Sequence, residues 1–431
     1  MTMDVLIDEF VDNTSTDIQQ FFHAHFNFRS IVNRFVEFNR QLELDKDRIR
    51  VHGQYYNNIH LGKRIFGPAR KQVFTSTIMG GVERRFEIID NQVNHIAFTH
   101  EAFDENLDKV RNQRVKCRDD SRVCLLNTDN GNDFIHANKI HGSPLFNSFI
   151  LTQAPMKNTV IDFWRMVWDQ NVSKVFVLFS FDNSTDEYFR FWPSDNANNE
   201  IRGSGLSVRL IQTSSKCAVP NFQHYLVNIV DNDMNTRKIE VFHGDMNNSD
   251  DLQTPLHLLR IARRSTTPVV VVDQLGISQS ACLVASELCI MSLLKGPSYR
   301  HLVQRSVHYL RSFRSFAIET PMQYIFIHRV VREFTRPFVK LPRGFDDDYA
   351  RWLNVRSQRL FLDEYNTTIP AYRLLCPRID PDLLPQIRKK TRPSTRREIH
   401  SHVGELPLPL EKIGNGGVFV LPNKYPRGAR Y

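Results

Sequence analysis

The residues best placed to do chemistry lie in the stretch Pro268-Val269-Val270-Val271-Val272-Asp273-Gln274-Leu275-Gly276-Ile277-Ser278-Gln279-Ser280-Ala281-Cys282-Leu283. Four consecutive β-branched valines, too short a run for a membrane span, predict a strand covered on both faces. The apolar text that follows predicts a helix running on to about Leu294. A loop between such a strand and a helix N-terminus can cradle an anion, because unpaired backbone N–H groups point into it. This loop places a carboxylate, Asp273, at its mouth and contains no Lys or Arg. It has the architecture of a phosphate site and the wrong charge for one.

The elements that must position this loop are legible on either side of it. The chain has 431 residues, 41% of them hydrophobic and 11% aromatic, enough to bury one large core with extensions. From about Ile96 strand and helix signals alternate. Phe98 to Val110 predicts a helix; Arg122 to Leu126, Asp133 to Asn138 and Phe149 to Gln153 predict strands. Thr159 to Asn171 reads as an amphipathic helix and Lys174 to Phe179 as a buried strand. Ser207 to Ile211, Tyr225 to Val230 and Lys238 to Phe242 read as antiparallel strands, and Leu256 to Arg264 as a helix leading into the valines. Tyr299 to Ser312 and Met322 to Phe334 are further helices. The mixture is that of an α/β (α+β) domain of enzyme size.

The formal net charge of +9 points to an acidic partner or to a generally basic surface. Six cysteines are scattered with no CxxC pair and no zinc spacing, so no metal and no cofactor is expected. The N-terminus lacks a signal-peptide pattern and no run of about 18 apolar residues occurs, which predicts a reducing, cytoplasmic location. Gln19 to Leu44 carries aromatics at helical spacing, whereas Leu61 to Glu87, with Gly67-Pro68 and Gly80-Gly81, reads as broken and basic.

Taken together, the motifs from about residue 96 to 335 resemble the classical protein tyrosine phosphatase domain. Those carrying the resemblance are Asp119-Asp120-Ser121-Arg122-Val123, Asp133-Phe134-Ile135-His136-Ala137-Asn138 and Thr152-Gln153-Ala154-Pro155-Met156. Asp162 to Gln170, Phe191-Trp192-Pro193, Leu310-Arg311-Ser312-Phe313-Arg314 and Glu319-Thr320-Pro321-Met322-Gln323-Tyr324 follow in order. The resemblance implies a central, highly twisted mixed sheet flanked by helices. The expected organisation is an N-terminal helical or irregular flank (1–95), the phosphatase-like domain (96–335), a helical extension (336–376) and a basic, partly disordered tail (377–431).

The family's reaction needs five groups, and each can be checked by position. The thiolate nucleophile aligns with Asp273, whose charge would repel a phosphate dianion; a carboxylate acceptor would need a metal, and no second acidic ligand stands nearby. The phosphate-clamping Arg aligns with Gln279. Ser280 keeps a hydroxyl but, with no thiolate to assist, reads as an N-cap. The general acid aligns with Asn248 or Ser249, with Asp250 just beyond. The stacking aromatic aligns with Asn112, followed by Gln113 and Arg114, and the water-positioning Gln with Glu319, while the second Gln of that motif remains as Gln323.

Five coordinated changes predict a catalytically inactive member, a pseudophosphatase serving as a binding or scaffold module for a tyrosine-containing or phosphorylated signalling partner, such as a kinase. The economical account of Asp273 is that its carboxylate occupies the loop's own N–H cradle. Two alternatives stand beside this: a divergent phosphatase using Asp273 or Asp250 with a metal, and an interaction protein acting through its basic tail. That tail contains Arg388-Lys389-Lys390-Thr391-Arg392-Pro393-Ser394-Thr395-Arg396-Arg397. It could contact an acidic protein or anionic lipid, or recruit the chain to the nucleus or cortex; a nucleic-acid partner is not expected.

Overall fold

The computed structural model of the chain describes residues 2–11, 16–44, 47–51, 73–93, 97–126, 128, 131–181, 187–194, 200–214 and 216–354. The tail with its basic run, and the extension from residue 355, lie outside the described residues.

Among these residues a nine-stranded sheet has the order β3-β4-β5-β11-β6-β10-β9-β8-β7. Its strands are β3 (Arg122–Cys124), β4 (Phe134–Ile140), β5 (Phe149–Gln153), β6 (Lys174–Val177), β7 (Ile201–Gly203), β8 (Leu206–Ser214), β9 (Gln223–Asp231), β10 (Thr236–His243) and β11 (Val269–Asp273). β1 (Asp47–Val51) and β2 (Val73–Thr77) form a separate antiparallel pair. The four central strands β5, β11, β6 and β10 are parallel, and the strands outside them antiparallel.

β11 is at the middle because its side chains suit burial on both faces. Val269 and Val271 enter one hydrophobic core, and Val270 and Val272 the core on the opposite face. A solvated face would have required a polar residue at every second position.

The helix after the loop, Gln279–Lys295, has no exposed stripe: every residue from Ser280 to Leu294 is buried. Counting in chain order it is α8, after α1 (Met3–Phe10), α2 (Thr16–His25), α3 (Phe28–Leu44), α4 (Ile78–Val93), α5 (Glu101–Asp104), α6 (Val160–Asp169) and α7 (Gln253–Arg263). It is followed by α9 (Leu302–Arg311), α10 (Pro321–Thr335) and a helical segment at 344–354. The N-terminal helices share the larger core with α8 and α10. Arg34 of α3 donates to the terminal carbonyls of α8, Leu293 (2.6 Å) and Leu294 (2.5 Å), groups that have no partner within the helix.

Three local expectations need correction. Phe98 to Val110 is not one helix but α5 followed by a 3₁₀ turn, Leu107–Lys109. The Asn106 side chain donates to the Ala102 carbonyl (2.8 Å), the acceptor a continuing helix would have used, so the side chain outcompetes the backbone. The helical run from Gln19 to Leu44 is two helices, restarted where Asn27 accepts the Ser30 N–H (3.0 Å). Gly80 and Gly81 do not break the chain but lie in the first turn of α4. There Asp348 accepts the Met79 N–H (2.8 Å) and Thr77 the Gly80 N–H (3.0 Å), pinning the turn from outside.

The sheet also carries an acid-sensitive contact. Glu240 on β10 lies 2.5 Å from Lys174 Nζ on β6 and 3.3 Å from His224 Nε2 on β9. His224 first, then Lys174, hold its carboxyl at about 2 against the opposing effect of burial. An unfolded Glu titrates near ~4.3, so this stabilisation is present above that pH and is lost as pH falls toward about 2. With the side chain 36% exposed, the loss is under about 1 kcal/mol. Acid denaturation of Glu240→Gln should lack this component; an unchanged pH profile would assign the acid sensitivity elsewhere.

Candidate functional site

The loop 274–278 leaves the carboxyl end of the central strand, the usual place for a ligand in a parallel sheet. Gly276 makes the turn with φ +72°, and a Cβ there would come within 2.6 Å of the Thr152 carbonyl carbon and 2.7 Å of Arg314 Nη2. Both the backbone angle and the close approach call for glycine. The turn brings the N–H groups of the loop and of the start of α8 onto one point.

That point is occupied by the Asp273 carboxylate, which is fully buried. Oδ1 accepts the N–H of Leu275 (3.0 Å) and that of Gly276. Oδ2 accepts the N–H groups of Ser278 (2.9 Å) and Ser280 (2.9 Å) and the Ser280 hydroxyl (2.7 Å). Four amide donors and one hydroxyl therefore converge on one side chain, at the end of α8 where the helix dipole favours negative charge. The expectation that Ser280 is an N-cap is overturned: the N-cap is Ser278, and Ser280 lies inside α8 with its hydroxyl given to Asp273.

Beneath the loop lies a residue to which sequence reasoning gave no role. Arg314, fully buried, donates to the carbonyls of Gly276 (3.1 Å) and Leu275 (2.8 Å), to Asn138 Oδ1 (2.8 Å) and to His136 Nδ1 (3.1 Å). His136 Nε2 lies 2.7 Å from the Val115 carbonyl, which can only accept. The ring therefore carries its proton on Nε2 and leaves Nδ1 to Arg314. Burial and the Arg314 charge hold the His136 pKa well below its ordinary value, in keeping with a neutral ring. The available signal was a second Arg in Arg311-Ser312-Phe313-Arg314, but sequence could not say which of the two reached the loop.

The remaining predicted site residues surround the loop with other tasks. Gln279 Nε2 donates to Asn247 Oδ1, so this side chain engages the segment 244–251. Asn248 Oδ1 accepts the Asp250 N–H (3.0 Å). Arg329 of α10 binds the Ser249 carbonyl (2.5 Å) and the exposed Asp250 carboxylate (3.1 Å). Glu319 accepts the Ser278 hydroxyl. Gln323 accepts the Glu319 N–H (2.7 Å) and, with Thr320, forms the capping box of α10. Asn112 accepts the Arg114 N–H (2.9 Å), and Gln113 and Arg114 are exposed. Gln274 is exposed and its carbonyl accepts the Ala154 N–H (3.3 Å), while Ile277 is buried under the loop.

One aromatic outside these motifs stands beside Arg111, the chain neighbour of Asn112. Tyr188 lies under the Arg111 guanidinium (4.6 Å to the ring centroid). Burial first, and then carboxylate charges that include Asp273, push its phenol pKa up.

Chemically, the arrangement offers no thiolate. Cys282, one turn into α8, is buried, and burial followed by the charges of Asp273 and Glu319 pushes its thiol pKa up. Among the described residues no group of three or more His, Cys, Asp and Glu side chains could hold a metal ion. Nor is any described helix long and apolar enough to cross a membrane.

Comparisons with known proteins bear on family and fold. The family model described as protein-tyrosine phosphatase matches residues 106–333. Two curated relatives, the inactive protein-tyrosine phosphatases egg-5 and egg-4 of Caenorhabditis elegans, are each 48% identical over 381 residues. Each match takes in 88% of this chain and 50% of the relative, so the chain spans about half the length of these proteins. The solved structure reported as "Structural basis of PTPN18 fingerprint on distinct HER2 tyrosine phosphorylation sites" covers 58% of this chain and 95% of its own, with TM-score 0.52 and 21% identity. That last likeness is one of fold.

Proposed function

Because this chain belongs to the protein-tyrosine phosphatase family and yet holds an aspartate where the reaction needs a cysteine, we propose that it is a pseudophosphatase that works by binding. One observation carries the reading. The cradle that would receive the phosphoryl group is filled by the Asp273 carboxylate, whose oxygens accept five hydrogen bonds from the loop and α8. A phosphate dianion entering there would meet a buried negative charge with the donors already taken. Asp273 is also a poor nucleophile, since the same bonds hold down its lone pairs. The names of the relatives egg-5 and egg-4, both inactive phosphatases, support the same reading.

The function is that of a scaffold for a tyrosine-containing signalling protein, such as a kinase, held over the closed loop in the cytoplasm. The basic run at 388–397 would add a contact to an acidic protein or anionic lipid.

The test pairs a pull-down on matched tyrosine and phosphotyrosine peptides of candidate partners with an aryl-phosphate assay. Capture indifferent to phosphorylation, with no turnover, is the expected result. Asp273→Cys alone should not create activity, because Gln279, Asn248 and Glu319 remain in place of clamp, acid and water-positioner. Turnover by the wild type that disappears in Asp273→Ala would replace the binding reading with an enzymatic one.

A further inference from the structure

Beside the filled cradle lies a cleft of about 80 Å³, bounded by the segment 244–251 and the first turns of α8 and α10. Its apolar lining is Met246, Cys282, Met322 and Phe326; the side chains of Asn247, Gln279 and Gln323 stand around it, and no lining residue is charged. We propose that this cleft is a binding site for one short aliphatic side chain, valine, leucine or isoleucine, presented by a partner protein. The proposal rests on the reading that the chain acts by binding, and names where part of that binding occurs.

Three features select the ligand. The uncharged lining offers nothing to a phosphate, carboxylate or ammonium group, each of which would be desolvated without a counter-charge. Size comes next: an engineered cavity of about 150 Å³ admits benzene, so a cleft of about 80 Å³ suits an aliphatic side chain rather than an aromatic ring. The amides supply the third. Gln279 Nε2 is committed to Asn247 Oδ1, and Gln323 Oε1 to the N–H groups of Glu319 and Thr320. Gln279 Oε1, Asn247 Nδ2 and Gln323 Nε2 are left without a protein partner among the described residues. Two donors and one acceptor beside an apolar slot match the polarity of a peptide backbone on either side of an inserted side chain.

The walls are held in place before any ligand arrives. Arg329 fastens 244–251 through the Ser249 carbonyl and Asp250, and donates also to the Tyr349 hydroxyl (3.0 Å). Asp251 accepts the N–H groups of Gln253 (3.1 Å) and Thr254 (3.0 Å) at the start of α7, and Met246 is packed into the main core. A slot with fixed walls loses little entropy on binding. Gln279 is pivotal, because its bond to Asn247 closes one side of the slot.

The test is a titration of the full chain, labelled with ¹³C at its methionine methyls, with N-acetyl-leucine-N-methylamide. The Met246 and Met322 resonances should move and saturate in the millimolar range. N-acetyl-phenylalanine-N-methylamide should bind at least tenfold more weakly, and O-phosphotyrosine should move neither resonance. Met322→Trp from the α10 wall and Ser249→Trp from the opposite wall, each checked for native circular dichroism, should both abolish the leucine-dependent shift at Met246. Unmoved methionines in the wild type, equal binding of the phenylalanine probe, or a shift that survives both blocks would overturn the proposal. None of these outcomes depends on whether the chain hydrolyses phosphate, so they are separable from failure of the binding reading itself.

Discussion

Replacing Asp273 with Ala should lower the free energy of unfolding by about 3–4 kcal/mol and, at the same time, make the protein respond to oxyanions. The loss follows from four N–H donors and a hydroxyl left facing an empty space inside the protein. Each unsatisfied buried group costs about 1–3 kcal/mol, reduced where water enters. Asp273→Asn should fall nearly as far, since one of its two terminal atoms would be a donor pointed at donors. Millimolar tungstate or sulfate should recover a large part of the Ala variant's stability by filling the vacated nest, a stabilisation that grows with ligand concentration. The wild type should show no such response, because its own carboxylate holds the position. Thermal melts of the two proteins with and without tungstate decide the matter. Equal stabilisation of the wild type would mean that Asp273 does not close the loop to anions.

The second large effect is expected at Arg314, whose guanidinium fastens the loop from below. Arg314→Met should cost about 4 kcal/mol, because it strands the carbonyls of Leu275 and Gly276 and His136 Nδ1 in a buried site and leaves Asn138 Oδ1 with only the weak Cys117 thiol donor. Arg314→Lys should recover less than half of this, since one ammonium cannot reproduce a planar fork that serves acceptors on two sides. The Asp273 and Arg314 substitutions act on the same loop. A double-mutant cycle should therefore give a coupling of about 1 kcal/mol or more, where distant sites would add within about 0.5 kcal/mol. Chemical denaturation of the four proteins measures it. A loss below about 1 kcal/mol for Arg314→Met would show that the loop holds its shape without the guanidinium.

Much of the scaffold was legible in the residues because it depends on local pattern. Four valines with no polar partner among them required two apolar neighbours, and β11 has a core on each face. The mainly apolar text from Ala281 to Leu294, interrupted only by Ser286, Glu287 and Ser292, predicted a buried helix, and α8 is one. Where reading failed, a single side chain redirected the backbone or a bond. Asn106 ended a predicted helix by taking a carbonyl four residues back, and Asn27 restarted another. Gln323 matches the family motif by position, and its carbonyl oxygen also caps α10. The role of Arg314 is not legible in the sequence, because neither motif nor spacing says which basic residue reaches a loop far away in the chain.

What sequence alone determined is which groups could be present at the loop: a carboxylate and no thiol at its head, a neutral amide and no guanidinium at its end. Those identities remove the thiolate and the guanidinium that the family's reaction uses. What only the tertiary structure decided is how each group is used. Gly276 turns tightly against Thr152 and Arg314, and this aims the backbone N–H groups inward, where Asp273 is the acceptor in reach. Ser280 follows Asp273, Ser278 follows Glu319, and Gln279 reaches Asn247. Hydrogen bonds are short and directional, so their partners are chosen by which atoms the fold brings within about 3 Å.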